Sequence, residues 1–148
     1  MAAGVEVEPG RFAALRGALN RAISIDPARM VPEIEVDSQV SLSDLELGTI
    51  DQLSLLQPHG NGNPEPLLAA VGLDIAGEPR VLGDDGRHLA FHVRQEGVVL
   101  RAIAFGKGGL YRSIARSGAR VSLLFEPRVS RWQGRCDVEL NVREIRIL

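Results

Sequence analysis

Residues 58–66, Pro-His-Gly-Asn-Gly-Asn-Pro-Glu-Pro, form the densest run of glycine, proline and asparagine in the chain, and no helix or central strand can pass through them. The chain must therefore break here, and the periodicity differs on the two sides. Before the break the apolar spacing is helical. After it the period is two.

On the N-terminal side, Pro9 opens a stretch in which Phe12, Leu15, Leu19 and Ile23 recur at intervals of three and four, which predicts a helix over 9–23 with one apolar stripe. Ile34 and Val36 alternate with Glu33, Glu35 and Asp37 as a short half-exposed strand after Pro32. Ile50, Leu53 and Leu56 predict a second helix over 46–56, stopped by Pro58. These elements are too few for a core of their own.

From Leu67 the pattern reads as strands. The first runs from Leu67 to Leu82 with a bend at Ala76-Gly77-Glu78-Pro79, and Gly83–Gly86 turns into a second strand, His88–Gln95. In that strand Leu89, Phe91 and Val93 are expected to face inward, with His88, Ala90, His92 and Arg94 outward. Glu96-Gly97 is a tight hairpin into Val98–Phe105, a strand apolar on both faces apart from Arg101, so periodicity leaves its inner face open. A short helix, Leu110–Arg116, closed by Gly118, precedes a fourth strand, Arg120–Glu126. After a turn at Trp132-Gln133-Gly134 the fifth strand is Arg135–Ile147. Three strands, a short helix and two strands give the fold class: α+β, mainly β, a five-stranded OB-fold Greek-key barrel preceded by a helix-strand-helix segment.

Charge divides at the same seam. Residues 1–66 carry 4 Arg against 10 Asp and Glu, a net of −6, whereas residues 67–148 carry 13 Lys and Arg against 9 acids, a net of +4, with 12 of the 13 cations arginine. Arginine suits planar, bidentate phosphate contact, although composition by itself favours the plainer reading that a surface cation happens to be arginine. OB barrels hold oligonucleotides on the face of strands two and three and in the loops joining strands one to two and four to five. Those elements supply Arg87, His88, His92, Arg94, Arg101, Arg128, Arg131, Trp132 and Arg135, the candidate nucleic-acid-binding set. Trp132, near a hairpin tip, either stacks on a base or covers the barrel mouth.

Other chemistry finds less support. The 58–66 loop lacks the Lys and Ser or Thr of a phosphate-binding P-loop and follows no strand, so a structural turn is the better reading. His88 and His92, four apart on a strand, sit about 13 Å from one another without a third ligand, so no metal site is expected. Cys136 rules out an internal disulfide and is expected to be a small buried hydrophobe. The absence of 18 consecutive apolar residues argues against a membrane span, and a cytoplasmic setting is expected.

Several segments together resemble the C-terminal part of the RecJ family, single-stranded-DNA-specific exonucleases of bacteria. Pro58–Pro66 resembles that family's P-F-G-x-G-N-P-E-P segment. Gly86-Arg87-His88-Leu89, Ala102-Ile103-Ala104-Phe105-Gly106 and Trp132-Gln133-Gly134-Arg135 resemble further family signatures in the same order, and Met1-Ala2-Ala3-Gly4 resembles the end of the G-G-H-x-x-A-A-G motif of the DHH-associated domain. The resemblance implies that residues 1–57 are the end of a DHH-associated domain, 58–66 a linker and 67–148 the OB domain of a larger 5′–3′ exonuclease used in DNA repair and recombination. It further implies no catalytic residue or cofactor in this chain, with manganese or magnesium held by a catalytic DHH domain elsewhere in the parent. The implied partners are single-stranded DNA, the remainder of the parent nuclease and a single-stranded-DNA-binding protein; the alternatives are a structural or docking role, or a single-stranded RNA- or DNA-binding protein acting alone. His59 departs from the family's usual Phe and Ala90 stands where Lys is common, while Asp137 and Glu139 place acids where phosphate would be repelled.

Overall fold

The computed structural model describes residues 4–23, 34–116, 118–132 and 134–148, with the Trp132 side chain outside the described set. Its contacts divide the chain into two compact units, Met1–Ile34 and Glu35–Leu148. In the first, a 3-10 turn at Pro9–Arg11 leads into helix α1, Phe12–Ala22; Phe12 and Leu19 on the helix and Ile23 after it are exposed.

The second unit holds a closed barrel. Strands β1 (Ser38–Gln39), β2 (Leu68–Leu82), β3 (His88–Gln95), β4 (Val98–Ala104), β5 (Arg120–Trp132) and β6 (Arg135–Ile147) follow one another in the order β1-β2-β3-β4-β6-β5, and β2 pairs again with β5 to close the ring. Five strands, β2 to β6, form the ring, in the arrangement expected of an OB fold. Closure needs one strand to serve two neighbours, and β2 does so by bending. It pairs with β5 through Leu68–Asp74 and with β3 through Asp74–Leu82, with register shifts after Ala70 and Ala76. Gly72 and Gly77, at φ +69° and +72°, lie within those shifts, where a bulge needs a backbone that side chains rarely adopt.

Inward side chains alternate as the pattern requires. Leu89, Phe91 and Val93 of β3, Ala102 and Ala104 of β4, Val121, Leu123 and Phe125 of β5 and Leu140 of β6 are buried together. The small alanines identify the inner face of β4, which its apolar periodicity left open. Ala90, expected outward, lies on the outer face but is only 9% exposed, because larger neighbours cover so short a side chain.

Several local expectations are corrected. The strand expected at Ile34–Val36 starts later: Asp37 N–H donates to the Leu67 carbonyl at 2.9 Å, and the Asp37 carboxylate accepts from Leu67 N–H at 2.8 Å. Ile34 and Val36 themselves stay exposed. The second helix, α2, spans Leu47–Leu53 and tightens into a 3-10 turn through Leu56. The third, α3, is a single turn, Tyr111–Ile114, capped at Ala115 rather than at Gly118, and it drives Ile114 into the core. Strand β5 runs on past Glu126. Its second neighbour β2 begins at Leu68, opposite Phe125, so beyond that point β5 pairs with β6 alone and its free edge tolerates Pro127.

The β5–β6 ribbon thus projects from the barrel. Cys136 sits near its tip, opposite Arg131, and is exposed rather than buried, because both faces of a two-stranded arm meet solvent there. The segment before the 58–66 turn also belongs to this unit, since Leu42, Leu45 and Ile50 are buried in the barrel's core. Gln95 fastens it, accepting from Leu42 N–H at 2.9 Å and donating to the Val71 carbonyl at 3.1 Å. The turn itself closes on paired backbone bonds between Gly60 and Asn63, and the Asn63 amide donates to the Leu56 and Pro58 carbonyls at 2.8 and 3.0 Å. Its role is to end α2 and launch β2.

Candidate nucleic-acid interface

The outer faces of β3 and β4 form a ladder of side-chain pairs. The register sets Arg94 opposite Val99, His92 opposite Arg101 and Ala90 opposite Ile103, and the next pair outward is His88 with Phe105. Alternate residues on a strand are about 6.8 Å apart, so Arg94 to His88 covers roughly 20 Å. Positive charge is concentrated at the hairpin end of the ladder, and aromatic surface at the other.

The β5–β6 ribbon makes a wall beside this ladder. Between them lies a groove of about 350 Å³, with His92, Val99 and Arg101 on one side and Ser130, Asp137 and Glu139 on the other. The Arg101 guanidinium donates across it to Glu139 at 2.7 Å, a pairing set by the parallel register of β4 and β6. Arg94 is exposed, with no carboxylate in ion-pair range among the described residues.

The remaining candidates fall elsewhere. Arg87 pairs with Asp85 in the β2–β3 turn. His88 accepts a bond from Gly106 N–H at 3.1 Å and meets Phe105 edge to face, with centroids 5.2 Å apart. Arg128 and Arg131 line a separate depression of about 300 Å³ with Ile50, His59, Glu65 and Pro127. Ser130 lines the groove, whereas Arg128 and Arg131 line that depression. Arg128 is engaged by Glu65 at 2.7 Å and Glu126 at 3.4 Å, while the Arg131 guanidinium approaches the Cys136 sulfur at 3.8 Å. Arg135 is exposed at the ribbon's tip, paired in register with Trp132. The structure therefore brings together His92, Arg94 and Arg101, with His88 farther along the same face, and sets Arg128 and Arg131 apart.

Sequence reading missed Glu126, the buried charged side chain of the described core, 6% exposed. It accepts from Arg143 at 2.6 Å and Asn141 at 2.9 Å as well as from Arg128. Three donors supply the bonds that a carboxylate out of water requires. Its two shortest bonds come from Asn141 and Arg143 of β6, partners that no local pattern around Glu126 announces. Among the described residues no three His, Cys, Asp or Glu cluster as a metal site, and no helix is long and apolar enough to cross a membrane.

A closed five-stranded barrel with a cation-bearing outer ladder defines an OB-fold protein. Within that class, the chain belongs to the RecJ OB domain family, whose sequence profile it matches over residues 36–144. It is similar to the single-stranded-DNA-specific exonuclease RecJ of Thermus thermophilus, at 38% identity over 114 residues, covering 73% of this chain and 15% of that protein. It is also similar to the exonuclease of the same name from Bacillus subtilis, at 26% identity over 146 residues, covering 97% of this chain and 18% of that protein. The crystal structure of RecJ in complex with Mn2+ from Thermus thermophilus superposes with a TM-score of 0.69 at 29% identity, covering 94% of this chain and 19% of that one. The chain spans less than a fifth of the length of these relatives.

Proposed function

We propose that this chain is the single-stranded-DNA-binding OB module of a RecJ-like 5′–3′ exonuclease, in which it guides the strand toward a metal-dependent catalytic core elsewhere in the parent. The observation that carries the reading is the β3–β4 outer face, where Arg94, His92 and Arg101 lie toward the hairpin end and His88 and Phe105 at the other. Phosphates require cations, and every base offers a flat surface, so such a face holds a strand with little regard to sequence. The relatives named as single-stranded-DNA-specific exonucleases support the same substrate.

On this reading α1 belongs to a preceding DHH-associated domain, manganese or magnesium is bound by the DHH domain, and the work is cytoplasmic DNA repair and recombination. A single-stranded-DNA-binding protein is a further partner. The ion pairs of Arg101 and Arg128 reduce the cations free for phosphate, so the isolated chain binds modestly. Reversing charge at Arg94→Glu and Arg101→Glu tests the reading by fluorescence anisotropy with labelled oligo-dT. Salt-sensitive binding that the double variant abolishes supports it, and binding indifferent to salt or to these substitutions overturns it.

A further inference from the structure

Phe105 follows the last residue of β4, on the outward side shared by Val99, Arg101 and Ile103, and it is 60% exposed. An aromatic ring so open to water at the end of a cationic ladder has a free face. The ring is held against His88, whose own ring packs on it in a T-shaped contact at an interplanar angle of 69° and is itself oriented by accepting the Gly106 N–H. The turn that follows cannot drift. Gly108 N–H donates to the Arg87 carbonyl at 2.8 Å, and a Cβ at Gly108 would collide with the Gly86 carbonyl oxygen, so the 106–110 turn is seated directly on the β2–β3 turn. The ring is thus exposed yet held in a defined orientation, which lowers the entropy lost when a flat partner stacks on it.

We infer that Phe105 is a base-stacking residue, with His88 as the side chain that positions it, and that it receives a nucleobase of the same single strand whose phosphates Arg94 and Arg101 hold. This rests on the strand-binding reading above and adds a base contact to it. Stacking needs an unpaired base, so the contact favours single strands over duplex, and every base has a π-face, so it is tolerant of sequence. Sequence reading offered Trp132 as either a stacking residue or a cover for the barrel mouth, and gave no such role to Phe105.

The test compares the 148-residue chain with Phe105→Ala on two labelled oligomers of equal length and charge, oligo-dT and its abasic counterpart. The expected result is a loss of about tenfold on oligo-dT, an unchanged affinity for the abasic strand and an unchanged salt slope. A Phe105→Trp variant should retain binding to oligo-dT and show a fluorescence quench on that oligomer larger than the unaltered chain shows, with no such added quench on the abasic strand. Equal losses on both oligomers overturn the stacking role, as does wild-type affinity of Phe105→Ala for oligo-dT, and both outcomes leave the electrostatic reading standing. Failure of the unaltered chain to bind either oligomer overturns both. Circular dichroism melting confirms that the substitutions leave the barrel folded, as the exposure of the ring requires.

Discussion

Replacing Glu139 with glutamine tests whether the strand-binding face is held in check by its own carboxylates. Glu139 accepts from Arg101 at 2.7 Å, with the arginine side chain 47% exposed and the glutamate 19%. A phosphate that approaches Arg101 must share or displace that carboxylate, and it also meets Glu139's negative charge. Exposed ion pairs of this kind are worth about 0.2–1 kcal/mol, so removing the charge should strengthen binding to oligo-dT by roughly 1.4- to fivefold at low salt. The gain should shrink as salt rises, because the slope of log K against log salt steepens by about 0.7 when one more phosphate is neutralised on a single strand. Anisotropy titrations over a series of salt concentrations read both quantities. The Glu139→Gln barrel should lose less than about 1 kcal/mol of stability in urea, since the partner stays solvated. Unchanged affinity together with an unchanged slope would refute the placement of phosphate at Arg101.

Gly108→Ala should destabilise the barrel by about 1–3 kcal/mol, because its Cβ meets backbone rather than a side chain that can turn away, and urea melting measures it. Glu126→Gln should cost about 1–3 kcal/mol, because it removes the charge from bonds to Arg143, Arg128 and Asn141 within a nearly buried site. The half-exposed arginines can recover water, which keeps the loss below that of a fully buried pair. Phe91→Ala should lower stability by about 3–5 kcal/mol through the cavity it opens, with a lower urea midpoint.

What was legible in the sequence is local. Leu89, Phe91 and Val93 against His92 and Arg94 is a period-two signal that needs no distant partner, and Glu96-Gly97 is a hairpin by its backbone demands alone. Both residues have positive φ, as a two-residue loop requires. The strand order followed from counting such segments. Features set by partners far along the chain were not legible. The Arg101–Glu139 pair joins residues 38 apart and Arg128–Glu65 residues 63 apart, so the sequence displayed these arginines as free cations when the fold had already engaged them. Cys136 misled because its strand is two-stranded at that point, which only the starting point of β2 decides. Ile34 and Val36 imitated a strand by alternation, with no strand pairing among the described residues to hold it. The order of strands and helix identified the barrel and the RecJ resemblance agreed with it, yet the placing of Arg101 in one depression and of Arg128 and Arg131 in another had to come from the fold.

The central claim is a place: the outer face of β3 and β4. Amide chemical shifts of the isotopically labelled chain, followed as oligo-dT is added, test it most directly. Perturbations should concentrate at 88–94 and 99–106, with smaller ones at Ser130, Asp137 and Glu139 across the groove. Shifts confined to Ile50–Pro66 and Pro127–Arg131, with the β3–β4 face silent, would contradict it.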